Sequence, residues 1–164
     1  MTLARIYTLV SVALLSCGSD DPPRGGSSGG ASSSSGGTTT STAGGSDAAE
    51  LCVNIINEHR AEDGLPAYTR WADGEACADT EAESDAETNT PHGAFPRCKE
   101  LAQNECPGQP GPPEKMIRSC LSAMWAQGPG EGHHDMMAST KWKQVACGFH
   151  TTAKGAVWSV QNYR

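Results

Sequence analysis

Beyond residue 47 the apolar positions fall into stretches with helical spacing and stretches with strand spacing. Leu51, Cys52, Ile55, Ile56 and His59 recur at three- and four-residue intervals, which marks one face of a helix. Asp47 with Glu50 gives that helix a start, and Gly64 stops it ahead of Leu65-Pro66. A second helix is expected over residues 71–88, with a narrow apolar face of Trp71, Ala72, Ala76, Cys77 and Thr80. Its acids Glu75, Asp79, Glu81, Glu83, Asp85 and Glu87 read as a solvated face; none of their spacings makes an EF-hand loop. Residues 89–113, rich in Pro, Gly and Cys, read as a long pinned loop.

Residues 112–128 open on proline and place Ile117, Cys120, Leu121, Met124 and Trp125 along an amphipathic helix. The chain then changes period. Val145, Cys147 and Phe149 alternate over residues 144–150, and Ala156, Trp158 and Val160 share one face of residues 156–163. The link TTAKG between them has hairpin length. Helices followed by an antiparallel hairpin predict an α+β domain with helices covering a small antiparallel sheet.

The N-terminal part carries a different pattern. Arg5 precedes the apolar run of residues 6–15, which ends in Leu14-Leu15-Ser16-Cys17, a secretory signal too short to span a bilayer stably. A cysteine at that point resembles a bacterial lipoprotein box, which implies acylation of Cys17. Gly18 after it implies an outer-membrane or cell-surface destination, with simple secretion as the alternative. Residues 18–46 are nearly all Gly, Ser, Thr and Ala and have no apolar side chains to offset ordering entropy, so they read as a flexible linker. The expected layout is a signal over 1–17, a linker over 18–46 and one domain over 47–164.

Charge narrows the partners. Leaving out Arg5, Arg24, Asp20 and Asp21, the domain holds 10 Lys+Arg against 17 Asp+Glu. That balance argues against nucleic acid and against direct docking on anionic lipid, so membrane contact is expected through the lipid anchor only. Six cysteines follow Cys17: Cys52, Cys77, Cys98, Cys106, Cys120 and Cys147. An even number in an exported chain, with no C-x2-C pair for zinc, reads as disulfides; the pairing is left open among 15 arrangements.

Chemistry centres on the histidines at 59, 92, 133, 134 and 150. Adjacent His133 and His134 diverge by about 100° on a helix and point to opposite faces of a strand, so they do not share one ion. One of them faces a pocket, with a partner from a distant segment. His59 sits on the apolar side of the first helix and reads as a core residue, while His150 ends a strand.

Four segments in order resemble the CAP superfamily (SCP domain; cysteine-rich secretory proteins, antigen 5, pathogenesis-related 1). Asn57-Glu58-His59-Arg60 with Gly64-Leu65-Pro66 resembles its N-x-x-R…L-P opening, and Gly132-His133 with Met137 its G-H-[FY]-x-x-M signature. Val145-Ala146-Cys147-Gly148 resembles its V-G-C-G strand, and Val160-Gln161-Asn162-Tyr163 its closing V-C-N-Y strand. The resemblance implies an α-β-α sandwich and a cleft of two histidines and two acids that holds a divalent cation such as Zn2+. By matching, His92 and His133 are the two histidines, and His134 falls in the aromatic slot. The acids depart from the family: Gln103 stands in Ala102-Gln103-Asn104, where G-E-N is expected, and Gln127 follows Trp125. Glutamine cannot take up a proton near neutral pH or neutralise a cation. Glu105 and Glu131 are the nearby candidates to replace the missing acids.

The expectation is a binding module with a weak divalent-metal cleft and an unknown extracellular ligand, a lipid, a sterol or a surface protein, leaning away from enzymatic activity. The alternative is a metal-assisted, protease-like hydrolase that uses the same histidines with Glu105 or Glu131.

Overall fold

The computed structural model describes residues 43–164. The signal expected over 1–17, lipidation at Cys17 and most of the linker lie outside the described residues. The chain runs α1 (Ala43–Glu62), β1 (Thr69–Arg70), α2 (Ala72–Thr88), β2 (Ala102–Pro110), α3 (Pro113–Trp125), α4 (Gly132–Ala138), β3 (Gln144–Thr151) and β4 (Ala156–Tyr163). Helix α1 begins four residues ahead of Asp47, inside the stretch read as linker. Each residue added to a nucleated helix gains one hydrogen bond, so a start set by one capping residue is easily overrun.

The strands form one sheet in the order β1-β3-β4-β2. β3 pairs antiparallel with β4, and β4 with β2, whereas β1 runs parallel to β3. The sheet is therefore mixed, not purely antiparallel as expected. Helices α1, α3 and α4 cover one face over the larger core, which includes Ile56, Ile117, Leu121, Met137, Val145 and Tyr163. Helix α2 covers the other, where Ala78 and Ala82 meet Trp158 and Val160. This is the α-β-α sandwich.

Two sequence expectations fail for physical reasons. Residues 102–110 form an edge strand and not part of a loop. Pro107, Gly108 and Pro110 hide it, but its register shifts between Cys106 and Gln109, and a sheet edge tolerates such residues. Helix α2 buries Gly74, Ala78, Glu81, Ala82 and Asp85, whereas Ala72, Ala76 and Thr80 are exposed. Small residues win this face because α2 lies directly against β3. A Cβ on Gly148 would sit 2.1 Å from the Ala78 carbonyl carbon. Two acids on that face act as acceptors for a neighbouring backbone: Asp85 Oδ1 accepts from Ala94 N–H at 2.7 Å, and Glu81 Oε1 from Cys98 N–H at 3.2 Å.

Six cysteines form three disulfides, Cys52–Cys147, Cys77–Cys98 and Cys106–Cys120. The N-x-x-R segment binds distant backbone. Asn57 exchanges two hydrogen bonds with the Tyr68 main chain. Arg60, 2 % exposed, donates to the carbonyls of Pro66, Met137 and Ser139 and stacks 3.7 Å over the Tyr68 ring. It thus anchors the end of α4, the helix that carries His133. Among the described residues no helix is long and apolar enough to cross a membrane.

Candidate functional site

His92 sits in the turn after α2 with φ +60°, a left-handed backbone that few side chains adopt without support. The support is Glu105 on β2, whose Oε2 accepts the His92 backbone N–H. The His92 ring lies over Gln103, and Nδ1 meets Gln103 Oε1 at 2.7 Å. The amide orientation of Gln103 is set independently of the ring. Its Nε2 donates to Glu81 Oε2 at 3.2 Å and to Asn162 Oδ1 at 2.9 Å, which leaves Oε1 for the histidine. An amide oxygen only accepts, so Nδ1 of His92 is the ring nitrogen that donates to it.

His133 makes a similar ring contact with a glutamine. It lies in the first turn of α4, where Asn104 Nδ2 donates to its carbonyl at 3.0 Å. Its Nδ1 meets Gln127 Oε1 at 3.1 Å. Both histidines and both glutamines line one cavity of about 520 Å3, together with Glu131 and Met136.

Of the other candidates, Glu131 reaches this cavity and Glu105 does not. The Glu105 side chain is 1 % exposed, because the His92 turn lies across it, with Oε2 3.6 Å from His92 Nδ1. Burial, with a contribution from Asp85, raises its carboxyl to about 7, against the lowering effect of the His92 N–H and ring. Glu105 therefore corrects the expectation of a cleft-lining acid: it holds the His92 turn from beneath. His134 is buried against Trp125, with ring centroids 4.4 Å apart, so an imidazole fills the aromatic slot. His59 is half-buried and stacks on the same Trp125 at 5.2 Å. His150 lines a different cavity of about 550 Å3 with Lys154 and Trp158.

Sequence reasoning missed the layer beneath the cleft. Glu81, Asp85, Glu100 and Asn162 are all buried, and Glu81 and Asn162 orient Gln103. The available signal was the helical spacing of Gly74, Ala78, Glu81, Ala82 and Asp85, small residues and acids that share one face. A shallow apolar groove of about 350 Å3 adjoins the cleft, flanked by Phe95 and Leu101 and sharing His92, Gln103 and Met136 with it.

The sequence matches the family model of the cysteine-rich secretory protein family, CAP, over residues 53–163. The chain belongs to the CAP family. The fold of this CAP domain is similar to that of an outer surface protein from Borrelia burgdorferi, with a TM-score of 0.54 and 16% identity, covering 70% of this chain and 89% of that chain. The comparison with curated proteins gives no match. Gln103 and Gln127 both line the cleft of this CAP domain. They retain hydrogen-bonding shape and contribute no charge.

Proposed function

We propose that this CAP domain is an exported binding module, held at the cell surface by a lipid on Cys17, with a cleft that takes a divalent cation weakly. The cation is Zn2+, bound through Nε2 of His92 and Nε2 of His133. The observation that carries this reading is that each Nδ1 is engaged by a glutamine oxygen. Neighbours that hold the proton on one ring nitrogen orient the other toward a metal, as outer-shell partners of metal-bound histidines do. Two neutral nitrogens make an incomplete, weak zinc set. The groove at Phe95 and Leu101, 39% and 65% exposed, supports a ligand with an apolar part, such as a lipid or sterol. Three disulfides support export, and the outer-surface name of the Borrelia protein is compatible with the same location.

Zinc titration of the protein and of its His92→Ala and His133→Ala variants tests the cleft. Each substitution is expected to weaken binding at least ~10-fold, the scale on which such ligand shells matter. Equal affinity in all three proteins rejects the assignment.

A second reading, metal-assisted hydrolysis, is favoured by one observation: Glu131 lines the same cavity and supplies a carboxylate. A chelator-sensitive cleavage activity that disappears in Glu131→Gln would promote it above the binding reading.

A further inference from the structure

The cavity of about 550 Å3 beside His150 shares no lining residue with the histidine cleft. Its lining comes from the end of α2, from Gly108 on β2, and from the β3–β4 hairpin with Trp158. Trp158 is 5% exposed and packs with Ala78 and Ala82 of α2. Among the described residues no acceptor takes its Nε1–H, although a buried indole ordinarily finds one. The backbone keeps that donor uncovered. The register of β2 on β4 shifts between Cys106 and Gln109, and Gly108 adopts φ +50° beside the indole. A Cβ at position 108 would stand 3.3 Å from Trp158 Nε1, closer than an ordinary contact. Bulges of this kind are common next to binding sites, and a strand glycine marks a place where another molecule can approach closely.

The exposed part of the lining carries both signs of charge. Lys154 stands on the hairpin and Glu87 in the last turn of α2, and both are exposed. Among the ion pairs of the described residues, neither takes part in one. Helix α2 ends here at Asn89, so the negative end of its dipole adds to the Glu87 carboxylate. Ala86, Ala153 and Ala156 supply small apolar surface.

These groups select the charge of a ligand. A simple anion gains Lys154 and the Trp158 N–H but is repelled by Glu87 and the end of α2. A simple cation gains the second pair and is repelled by Lys154. A molecule that carries both charges meets both pairs, and the volume is ordinary for a small-molecule site. We propose that this cavity binds a small zwitterion of the α-amino acid class, its carboxylate on Lys154 and the Trp158 N–H and its ammonium on Glu87. His150, the register partner of Trp158, and the Asn89 amide add polar atoms that can donate or accept. The site uses neither cleft histidine and is independent of zinc.

Titration of L-alanine and of L-leucine into the full chain, disulfides intact, followed by the indole 1H–15N correlation spectrum, tests the site. A saturating shift of the Trp158 Nε1–H is expected with at least one of them, without a matching shift at Trp71, Trp125 or Trp142. The N-acetyl and the carboxamide forms of the same amino acid each lack one charge and are expected to bind ~2–5-fold more weakly, the scale of an exposed ion pair. Lys154→Met and Glu87→Gln change exposed positions outside the core and are expected to weaken binding by the same ~2–5-fold. The His92→Ala/His133→Ala double variant is expected to bind as the wild type does. Absence of a Trp158 shift with either amino acid overturns the proposal. So does equal affinity for the amino acid and its two capped forms, equal affinity in wild type, Lys154→Met and Glu87→Gln, or loss of the response in the double histidine variant.

Discussion

Changing Gln103 to the glutamate of the family pattern is expected to destabilise this protein more strongly at neutral pH than in acid. Gln103 Nε2 donates to Glu81 Oε2 at 3.2 Å and to Asn162 Oδ1 at 2.9 Å, and both partners are acceptors through those atoms. A carboxylate at position 103 has no proton for either of them. Losing a hydrogen bond to a charged, buried acceptor costs about 1.5–3 kcal/mol. The new group can limit that loss by staying protonated, which holds its folded pKa above the unfolded value of about 4.3.

The sign follows from linkage. A carboxyl whose folded pKa is raised costs nothing below the unfolded pKa. It then withdraws ~1.36 kcal/mol per pH unit until its folded pKa is passed. The ceiling at pH 7 is thus ~3.7 kcal/mol, and a loss of ~2–3 kcal/mol is expected there. Urea denaturation of Gln103→Glu and wild type at pH 4 and pH 7 measures it, with a smaller difference of about 1 kcal/mol expected at pH 4, where the protonated carboxyl supplies one donor in place of the amide's two. Equal stability at pH 7 would show that Glu81 supplies the proton of this contact, and it would refute Gln103 as the donor.

Other perturbations test separate parts of the structure. Glu105, raised by burial to about 7 from 4.5, favours the folded state below the unfolded pKa and loses that contribution as pH rises to about 7. Glu105→Gln is therefore expected to flatten the stability profile between pH 5 and pH 8 by up to ~3 kcal/mol, read by denaturant midpoints at each pH. Arg60→Met removes the donors that Met137 and Ser139 share and is expected to cost ~3–5 kcal/mol, measured by urea denaturation. The Cys52–Cys147 bond closes 95 residues and Cys106–Cys120 closes 14, so chain entropy assigns them ~4.7 and ~3.0 kcal/mol. Paired alanine variants are expected to follow that order in thermal midpoint.

The elements whose apolar period was unbroken were legible in the sequence. Ile117, Cys120, Leu121 and Met124 mark α3, and the alternation through Val145–Phe149 and Trp158–Val160 marks β3 and β4; all three segments appear as expected. β2 was hidden because an edge strand can carry prolines that a central strand cannot. The α2 face was misread because hydropathy assigns acids to solvent, whereas Glu81 and Asp85 are buried as acceptors for the backbone of residues 94 and 98. At the candidate site, His92, Gln103, Gln127 and His133 were singled out by motif order, and they line one cavity. Their support from Glu81, Asn162 and Glu105 depends on contacts between residues as much as 81 positions apart, which no local pattern encodes.

The proposed function stands or falls on two imidazoles that carry their protons on Nδ1 and turn Nε2 to one cation. Long-range 1H–15N correlation spectra of the histidine rings, recorded during zinc titration, read both properties at once. Nδ1–H tautomers are expected at His92 and His133, with Nε2 shifts at both rings that saturate together at one equivalent. An Nε2–H tautomer at either ring, or a zinc response confined to His59, His134 or His150, would contradict the proposal.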